Sequence, residues 1–492
     1  MPRQNAGSGP RQGAGLHDAE GDPWSTGVAA RNDRSAHSLG DGQSLPPADR
    51  LLVLLTLAAP SSTEAEEALA LSGALTARDW RRFGRLLDHN DVGPLVARTA
   101  RRLGVWERLP AERRTAIDGR RAAVEQRNAL RLERAGELFA RMAARGLPVI
   151  VLKGVAFGET MYGDPAYKKM NDMDLLIRAT DIAAVKEVLD GMGMVPLALL
   201  DGGEEDPDPR KTHHLPAYVS PDLQFVLGIH WGLASPKAGY RLDHDGIWAR
   251  RRPLRVAGQE VACLGPLDTL HHLGVHFHYY KTGLKELGDL ANVVRAAGTF
   301  DWEGFGRLVE EAGTATAVFR PVRLAQALYG IAVPAALLDR WRAVADPFVA
   351  RDTEALAARS DLLADSRSTW SSQIEKAYLA FTFENRFGPK LAWLGTFWRR
   401  LLFPPKAVLR RTNACRRGER SAAWLWLMNL YRTAREVGRD YGLAIFLLLM
   451  AKSVTELAAT LAAGGGPGRM ERLRGQLGQD EAQILAFMDT FD

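Results

Sequence analysis

Apolar residues recur at helical spacing in two long stretches of the chain and form short, dense runs between them. From about residue 47 to 147 the spacing is helical. Residues 148–265 hold β-branched runs bounded by Gly, Pro and Asp, which is typical of strands. Helical spacing returns over residues 266–435 and continues in a tail at 436–492. This order predicts an α+β protein, in which N- and C-terminal helical regions flank a small mixed sheet with its own helices.

The two ends of the chain depart from this pattern. Residues 1–46 are rich in Gly, Ser, Pro, Asp and Arg, and they predict a disordered leader whose favoured role is that of a passive tail. The longest strongly apolar run, Leu443 to Ala451, is about half as long as a membrane-spanning helix, so no such helix is expected. No apolar signal segment is visible and only two cysteines occur, which together predict a cytoplasmic protein without disulfides.

The central region reads as a series of short elements. Predicted in order are a strand at 148–153, a helix at 154–162, a strand at 173–177, a helix at 181–192, a strand at 224–231 and a hairpin at 254–264.

An Asp-x-Asp motif, Asp172-Met173-Asp174, opens the second of these strands. Because side chains alternate along a strand, Asp172 and Asp174 share one face, while Met173 and Leu175 point into a core. Two carboxylates about 6–7 Å apart on one face repel each other unless a positive group lies between them. The simplest such group is a divalent cation such as Mg²⁺, which favours carboxylate and phosphate oxygens. The alternative is a pair of strand-end carboxylates that accept bonds from backbone amides.

Lys153-Gly154 lies at the predicted turn from strand to helix. A glycine lets a phosphate approach the backbone, and a lysine adds a positive charge there, so the pair predicts phosphate binding. The alternative is a simple glycine turn. Lys168 and Lys169, just before the Asp pair, are either a phosphate clamp or a solvated loop.

Three pieces of this sequence resemble one family. They are Leu152-Lys153-Gly154, Tyr162-Gly163-Asp164-Pro165 and Lys168 to Ile177, which are similar to the signature of the uncharacterised nucleotidyltransferase family, in the polymerase-beta-like superfamily. The resemblance implies a polymerase-beta-like mixed sheet and transfer of a nucleoside monophosphate from a nucleoside triphosphate to an acceptor hydroxyl. It also implies Mg²⁺ or Mn²⁺ on Asp172 and Asp174 as catalytic carboxylates, with Lys153, Gly154 and Lys168 on the phosphates.

One position departs from what the resemblance implies. Superfamily members carry a third carboxylate on a later strand, and the corresponding position here is Gly228. Asp222, Asp243 and Asp245 are the acids that could replace it. The runner-up function is therefore a catalytically weakened nucleotide-binding or accessory protein of a biosynthetic pathway.

Several histidines and Trp231 are weaker candidates for functional roles. His213, His214 and His230 fall within the resemblance, and Trp231 is interpreted as core rather than as a base-stacking residue. His271, His272, His276 and His278 invite a zinc site, but no third ligand is evident at the spacing that such sites use.

The net charge limits the kinds of substrate and partner that are expected. A net charge of +6 and a pI of about 9.3 suit an anionic substrate. The basic residues are spread through helices, so no specific nucleic acid is predicted, and the acceptor is a small molecule or a protein. Contact of the segment Trp398 to Lys406 with anionic lipid is the less favoured alternative to a solvated basic face.

Overall fold

The computed structural model describes residues 45–197, 208–210, 212–277, 283–345 and 347–359, together with residues 363, 424, 427, 474–480, 483, 484 and 487. Most of the predicted leader, the segment Trp398 to Lys406, His278 and most of the predicted tail lie outside these residues.

Within the described residues, five α-helices precede the sheet. They are α1 (Pro47–Leu55), α2 (Ser62–Ala74), α3 (Ala77–Asn90), α4 (Gly93–Arg102) and the long α5 (Ala111–Ala144). Two of them begin at reciprocal caps: Ser61 bonds the backbone of Glu64 at α2, and Thr76 does the same with Asp79 at α3. Each cap satisfies backbone N–H groups that a helix start otherwise leaves unpaired, which is why these two helices begin where they do.

Seven strands form one mixed sheet. They are β1 (Ile150–Val151), β2 (Met173–Leu176), β3 (Val195–Pro196), β4 (Tyr218–Val219), β5 (Val226–His230), β6 (Arg252–Val256) and β7 (Gln259–Cys263), in the order β3-β4-β5-β2-β1-β7-β6. β2 runs antiparallel to β1 and parallel to β5, so it lies at the centre of the sheet. In its register Asp174 stands opposite Gly228 on β5.

The remaining helices lie within and after the sheet. They are α6 (Gly154–Phe157), which continues as a π-helical turn at Gly158–Tyr162, then α7 (Ile182–Gly191), α8 (His244–Ala249), α9 (Pro266–His276), α10 (Leu284–Ala296), α11 (Trp302–Ala312), α12 (Ala315–Tyr329), α13 (Ala335–Val344) and α14 (Pro347–Ala357). Helices α1, α3, α4, α9, α10 and α12 share one apolar core, and α5 and α7 pack with the sheet in another.

The predicted fold class is confirmed, because the sheet is mixed and helices flank it on both sides in sequence. Met173 and Leu175 lie in the core beneath the sheet, as the alternation predicted. The hairpin also forms, and its tight turn places Ala257 and Gly258 at φ values of 49° and 79°. The sequence did not predict β3 and β4, since these two-residue strands lie outside any β-branched run of the kind that marked β1. Within the described residues, no helix combines the length and apolarity needed to cross a bilayer.

Candidate active site

Lys153 lies where β1 turns into α6. The backbone of the preceding residue, Leu152, still pairs with β2, because its N–H donates to the Asp174 carbonyl over 2.9 Å. At Lys153 the chain turns sharply, with φ 45° and ψ −125°. A lysine in this region costs of order 1–3 kcal/mol, and such strain concentrates at functional sites. The turn places the Lys153 ammonium 3.3 Å from Asp174 Oδ2.

The other oxygen of Asp174 faces β5. His230 Nε2 lies 3.2 Å from Asp174 Oδ1. Although burial acts to raise it, the pKa of Asp174 is held well below its usual range by the Lys153 charge and the His230 hydrogen bond. Asp174 is therefore an anion whose two oxygens both have neighbours.

Gly228 provides the space that Asp174 uses. A Cβ on Gly228 would overlap Asp174 Oδ1 and would come within 3.1 Å of His230 Nε2. The φ of Gly228 lies outside the left-handed region, so the backbone itself does not require glycine. The position implied for a third carboxylate thus lies directly beside Asp174 and carries no side chain.

Asp172 begins the same strand face and is exposed to solvent. Desolvation by the surrounding protein and the negative charge of Asp174 raise the pKa of Asp172 to about 6. The positive charges of Lys153 and Arg131 act in the opposite direction. Arg131 reaches this end of β2 from α5, where it donates to the carbonyls of Met170 and Gln224. Lys153, Asp172 and Asp174, which the sequence singled out, are therefore brought together.

A model of the uncharacterised nucleotidyltransferase family matches residues 76–330, just over half of the chain. The chain belongs to this family. No curated protein matches it, and no solved structure matches it.

The family region begins at Thr76, the cap of α3, and ends at Gly330, which closes α12 in a left-handed conformation. It therefore contains the whole sheet and the helices on which the site is built. Membership supports a general role in nucleotidyl transfer.

Lys168, the predicted phosphate clamp, contacts a carboxylate other than those of the Asp-x-Asp motif. Its ammonium donates to Asp289 Oδ2 on α10 over 2.6 Å, and Tyr162 donates to the other oxygen of the same carboxylate over 2.8 Å. Gly154 lies at the start of α6, where a Cβ would make ordinary contacts with Met170. The phosphate-binding roles of Lys168 and Gly154 stay predictions.

The alternative acids serve other contacts. Asp222 bonds Arg134 at 3.1 Å and accepts from Ser220. Asp243 caps α8 by accepting from the Gly246 N–H, and Asp245 lies in the first turn of that helix. Among the described residues, no group of three or more His, Cys, Asp and Glu could hold a metal ion.

His230, which contacts Asp174, has two further histidines beside it. The rings of His213 and His214 lie 5.8 and 5.4 Å from that of His230, between centroids. Burial and the two neighbouring imidazoles lower the pKa of His213 to about 3. Trp231 is core, as interpreted, and its indole N–H donates to Thr212 and Pro209 carbonyls.

The three histidines of α9 contact different neighbours. His271 Nε2 lies 2.7 Å from Thr314 Oγ1, and His276 Nε2 lies 2.8 Å from the Leu233 carbonyl. The His272 ring packs 4.3 Å from that of His276, between centroids. His272 also lines a pocket together with Lys153.

The sequence did not reveal the contacts that three residues make: Arg131, Asp289 and His272. Arg131 is one basic residue among many on α5, and Asp289 lies 121 positions after Lys168. His272 was noted only for a metal pattern with His276. No local signal marks the first two, because their partners come from distant elements.

The donor set fits one divalent cation. Mg²⁺ is commonly bound by one or two carboxylates together with phosphate oxygens and water. Asp172 is accessible, and Asp174 lies on the same face, although its oxygens already face Lys153 and His230. Among the described residues, no third His, Cys, Asp or Glu joins Asp172 and Asp174 in a group that could hold a metal ion, and Gly228 stands at the position implied for one.

Proposed function

We propose that the protein transfers a nucleoside monophosphate from a nucleoside triphosphate to an acceptor hydroxyl with one divalent cation, Mg²⁺ or Mn²⁺. The observation that carries this proposal is the placement of Asp172, Asp174 and Lys153 at one end of β1 and β2, inside the family region. The acceptor is a small molecule or a protein.

In this reaction the acceptor oxygen forms a bond to the α-phosphorus, and the bond from that phosphorus to the β-phosphate oxygen breaks. Pyrophosphate leaves, and the hydroxyl proton passes to solvent. A cation held by Asp172 and Asp174 would supply charge stabilisation for the phosphates.

The protein's own residues have distinct parts in this proposal. Lys153 provides a fixed positive charge at the site and shares it between Asp174 and a phosphate oxygen. His230 orients the Asp174 carboxylate through its hydrogen bond. Arg131 partly offsets the negative charge at Asp172.

A second candidate function is that of a nucleotide-binding accessory protein with weak turnover. The observation that favours it is Gly228, which leaves Asp174 beside an imidazole instead of a third carboxylate. Both functions require binding of a triphosphate with a divalent cation, and they differ in whether the α-phosphate is transferred or hydrolysed.

The shared step is tested by Asp172→Asn combined with Asp174→Asn. This variant should lose Mg²⁺-dependent binding of nucleoside triphosphate in calorimetry. It should remain folded, as shown by cooperative thermal unfolding. The matched control is Asp88→Asn combined with Asp118→Asn, two surface aspartates paired with arginines, which removes the same charge elsewhere and should bind like the wild type. If the Asp172, Asp174 variant bound the triphosphate with the affinity of the wild type, the binding site would not lie on β2.

Conversion of α-³²P-labelled nucleoside triphosphate to labelled nucleoside monophosphate or to a labelled acceptor separates the two functions. Because a third acid is missing, we expect measurable binding with slow transfer or hydrolysis. Brisk turnover would show that another residue supplies the missing ligand.

A further inference from the structure

Basic side chains from three separate elements come together near Asp172. They are Arg127 and Arg131 of α5, Lys169 of the loop before β2, and Lys285 of α10. We refer to these four residues as the basic cluster. Lys153, on the other side of the Asp-x-Asp motif, does not belong to it.

Hydrogen bonds hold Lys169 against α5. On one side of it, Asn128 donates to the Lys168 carbonyl over 2.9 Å. On the other side, Arg131 donates to the Met170 carbonyl. The backbone at Lys169 is therefore fixed between two contacts with α5.

The loop is also fixed to α10. Lys168 bonds Asp289 over 2.6 Å, and Lys285 lies one helical turn before Asp289. Arg127 likewise lies one turn before Arg131 on α5. Residues four positions apart share one face of a helix, so both helices present a further basic residue beside the loop.

Arg127 and Lys285 differ from the other basic residues of these helices. Within the described part of the chain, their side chains make no hydrogen bond or ion pair. In contrast, each arginine of α5 outside the cluster pairs with a carboxylate, as seen at Arg113, Arg114, Arg120, Arg121, Arg134 and Arg141. The fold therefore does not use these two cations for an ion pair of its own.

The charges of the cluster act on one another. Burial lowers the pKa of Lys169, and the charges of Arg127, Lys285 and Arg131 lower it further, whereas Asp91 acts to raise it. Like charges that are held together repel, and an anion that binds among them relieves this repulsion.

The acids nearby do not cancel the positive charge. Asp91 acts on both lysines of the cluster, and Glu286 acts on Lys285. Burial raises the pKa of Glu286, and the pKa of Asp172 is raised to about 6. Four cations therefore face three acids, two of which hold their protons more tightly than usual.

Phosphate is the anion that fits this arrangement. It carries up to two negative charges and several acceptor oxygens, so cations from different elements can share it. Arginine donates to phosphate in a forked geometry, and lysine adds a point charge. The cluster also lies beside Asp172, a candidate ligand of the cation that accompanies phosphate at such sites.

We propose that the basic cluster binds a phosphate group of a substrate, as a second phosphate site distinct from Lys153. The identity of the substrate rests on the proposed function. The phosphate belongs either to the β,γ end of the nucleoside triphosphate or to a phosphorylated acceptor.

The direct test is calorimetry of the full-length protein with inorganic tripolyphosphate in the absence of Mg²⁺. Arg127→Gln combined with Lys285→Gln should weaken binding about tenfold or more, since hydrogen bonds to charged groups are lost. The matched control is Arg141→Gln combined with Arg307→Gln, which removes the same charge from two surface pairs with glutamates. It should bind like the wild type. Equal affinity in the two double variants, or no binding to the wild type, overturns the proposal.

Two further titrations identify the source of the phosphate. If it belongs to the triphosphate, the Arg127, Lys285 variant loses affinity for Mg²⁺-nucleoside triphosphate, and a saturating nonhydrolysable triphosphate blocks pyrophosphate binding to the wild type. If it belongs to the acceptor, triphosphate affinity is unchanged. Pyrophosphate then binds the saturated wild type and binds the saturated variant more weakly.

The two proposals fail in different ways. If the wild type does not bind Mg²⁺-nucleoside triphosphate, the proposed function fails, while a specific loss of tripolyphosphate binding in the Arg127, Lys285 variant still supports the cluster. If Mg²⁺-nucleoside triphosphate binds and tripolyphosphate responds to neither double variant, only the cluster proposal fails.

Thermal unfolding separates binding from folding. The Arg127, Lys285 variant removes no hydrogen bond or ion pair among the described residues, so its melting temperature should match that of the wild type. If it melts lower, Arg127→Gln alone provides the test, because Arg127 is exposed. This single variant should still weaken tripolyphosphate binding, and Arg127→Lys should recover part of it. Wild-type binding by Arg127→Gln would then refute the proposal.

Discussion

Two lysines of the same motif region, Lys153 and Lys168, each contact an aspartate, but the surroundings of the two pairs differ. Around Lys168, both oxygens of Asp289 accept bonds, from Lys168 and from Tyr162. Asn292 continues this arrangement by donating to Tyr162 and accepting from the Ala58 N–H. We refer to Tyr162, Lys168, Asp289 and Asn292 as the Asp289 network.

Around Lys153 the polar groups are incompletely paired. His230 Nδ1 and both nitrogens of His272 lack hydrogen-bond partners among the described residues. Lys153 itself has a strained backbone, and Asp172 has a raised pKa. Gly228 has no side chain at the position where a third acid is expected, and Asp174 Oδ1 uses that space.

The difference separates structure from function within one motif. A network whose buried groups satisfy one another stabilises the fold and leaves nothing for a ligand. A site with unpaired nitrogens and strain is maintained at a cost in stability, which is typical of functional regions. On this basis the Asp289 network fixes the loop that leads into β2, and the Lys153 region is where we propose that the chemistry occurs.

The largest effect is expected from breaking the Asp289 network. Asp289 is 3% exposed, and Asp289→Ala removes the acceptor of the half-buried Lys168 ammonium and of the buried Tyr162 hydroxyl. Removal of one partner of a buried pair costs about 3–5 kcal/mol of unfolding free energy. Urea denaturation checks this.

The control for this measurement is Asp88→Ala. Asp88 pairs with Arg113 and Arg120 on the surface, and its loss should cost at most about 1 kcal/mol. A similar midpoint for the two variants would show that the Asp289 network is not structural.

A second prediction sharpens the comparison at His271 and His272. Burial, aided by Arg250, lowers the pKa of His271 from 6.5 to about 4. The unfolded chain then binds the proton first, so stability is full above about pH 6.5 and is lost as the pH falls toward 4. The loss from this one group is about 3 kcal/mol.

His271→Gln should therefore flatten the decline in melting temperature between pH 6.5 and 4, measured by calorimetry against the wild type. His213, with a pKa lowered to about 3, still contributes in both proteins, so the decline should not disappear. Parallel pH curves for the two proteins would mean that His271 is not held neutral by the fold.

The smallest effect is expected at Gly228. Gly228→Asp adds a carboxylate beside Asp174, but its Cβ overlaps Asp174 Oδ1 just as that of Gly228→Ala does. Relative to Gly228→Ala, it should raise Mg²⁺ affinity about tenfold, because affinity follows the number of charged ligands. It should also raise any transfer or triphosphate hydrolysis. Gly228→Ala is the matched control, since its Cβ displaces Asp174 from the same space but adds no charge. Equal Mg²⁺ affinity in the two variants would show that the new carboxylate does not join the site.

Local patterns predicted the parts of the fold that short stretches of chain decide. The alternation at Met173 and Leu175 predicted which strand face is buried, and it placed Asp172 and Asp174 on the other. The same reasoning identified the turn at Lys153 and the β-hairpin before α9. It gave no account of β3 and β4, since their pairing depends on neighbours that only the assembled sheet provides.

The sequence by itself determined the α+β class, the shared face of the two aspartates and the family resemblance, because strand alternation and motif spacing act over a few residues. Only the tertiary structure decided what each charged group meets. Lys168 and Lys169 look alike in the chain, yet Lys168 pairs with a carboxylate 121 positions away. His271 and His272 are adjacent, yet one finds Thr314 and the other finds no partner among the described residues. Side-chain partners depend on how distant helices pack, and no local pattern records that packing.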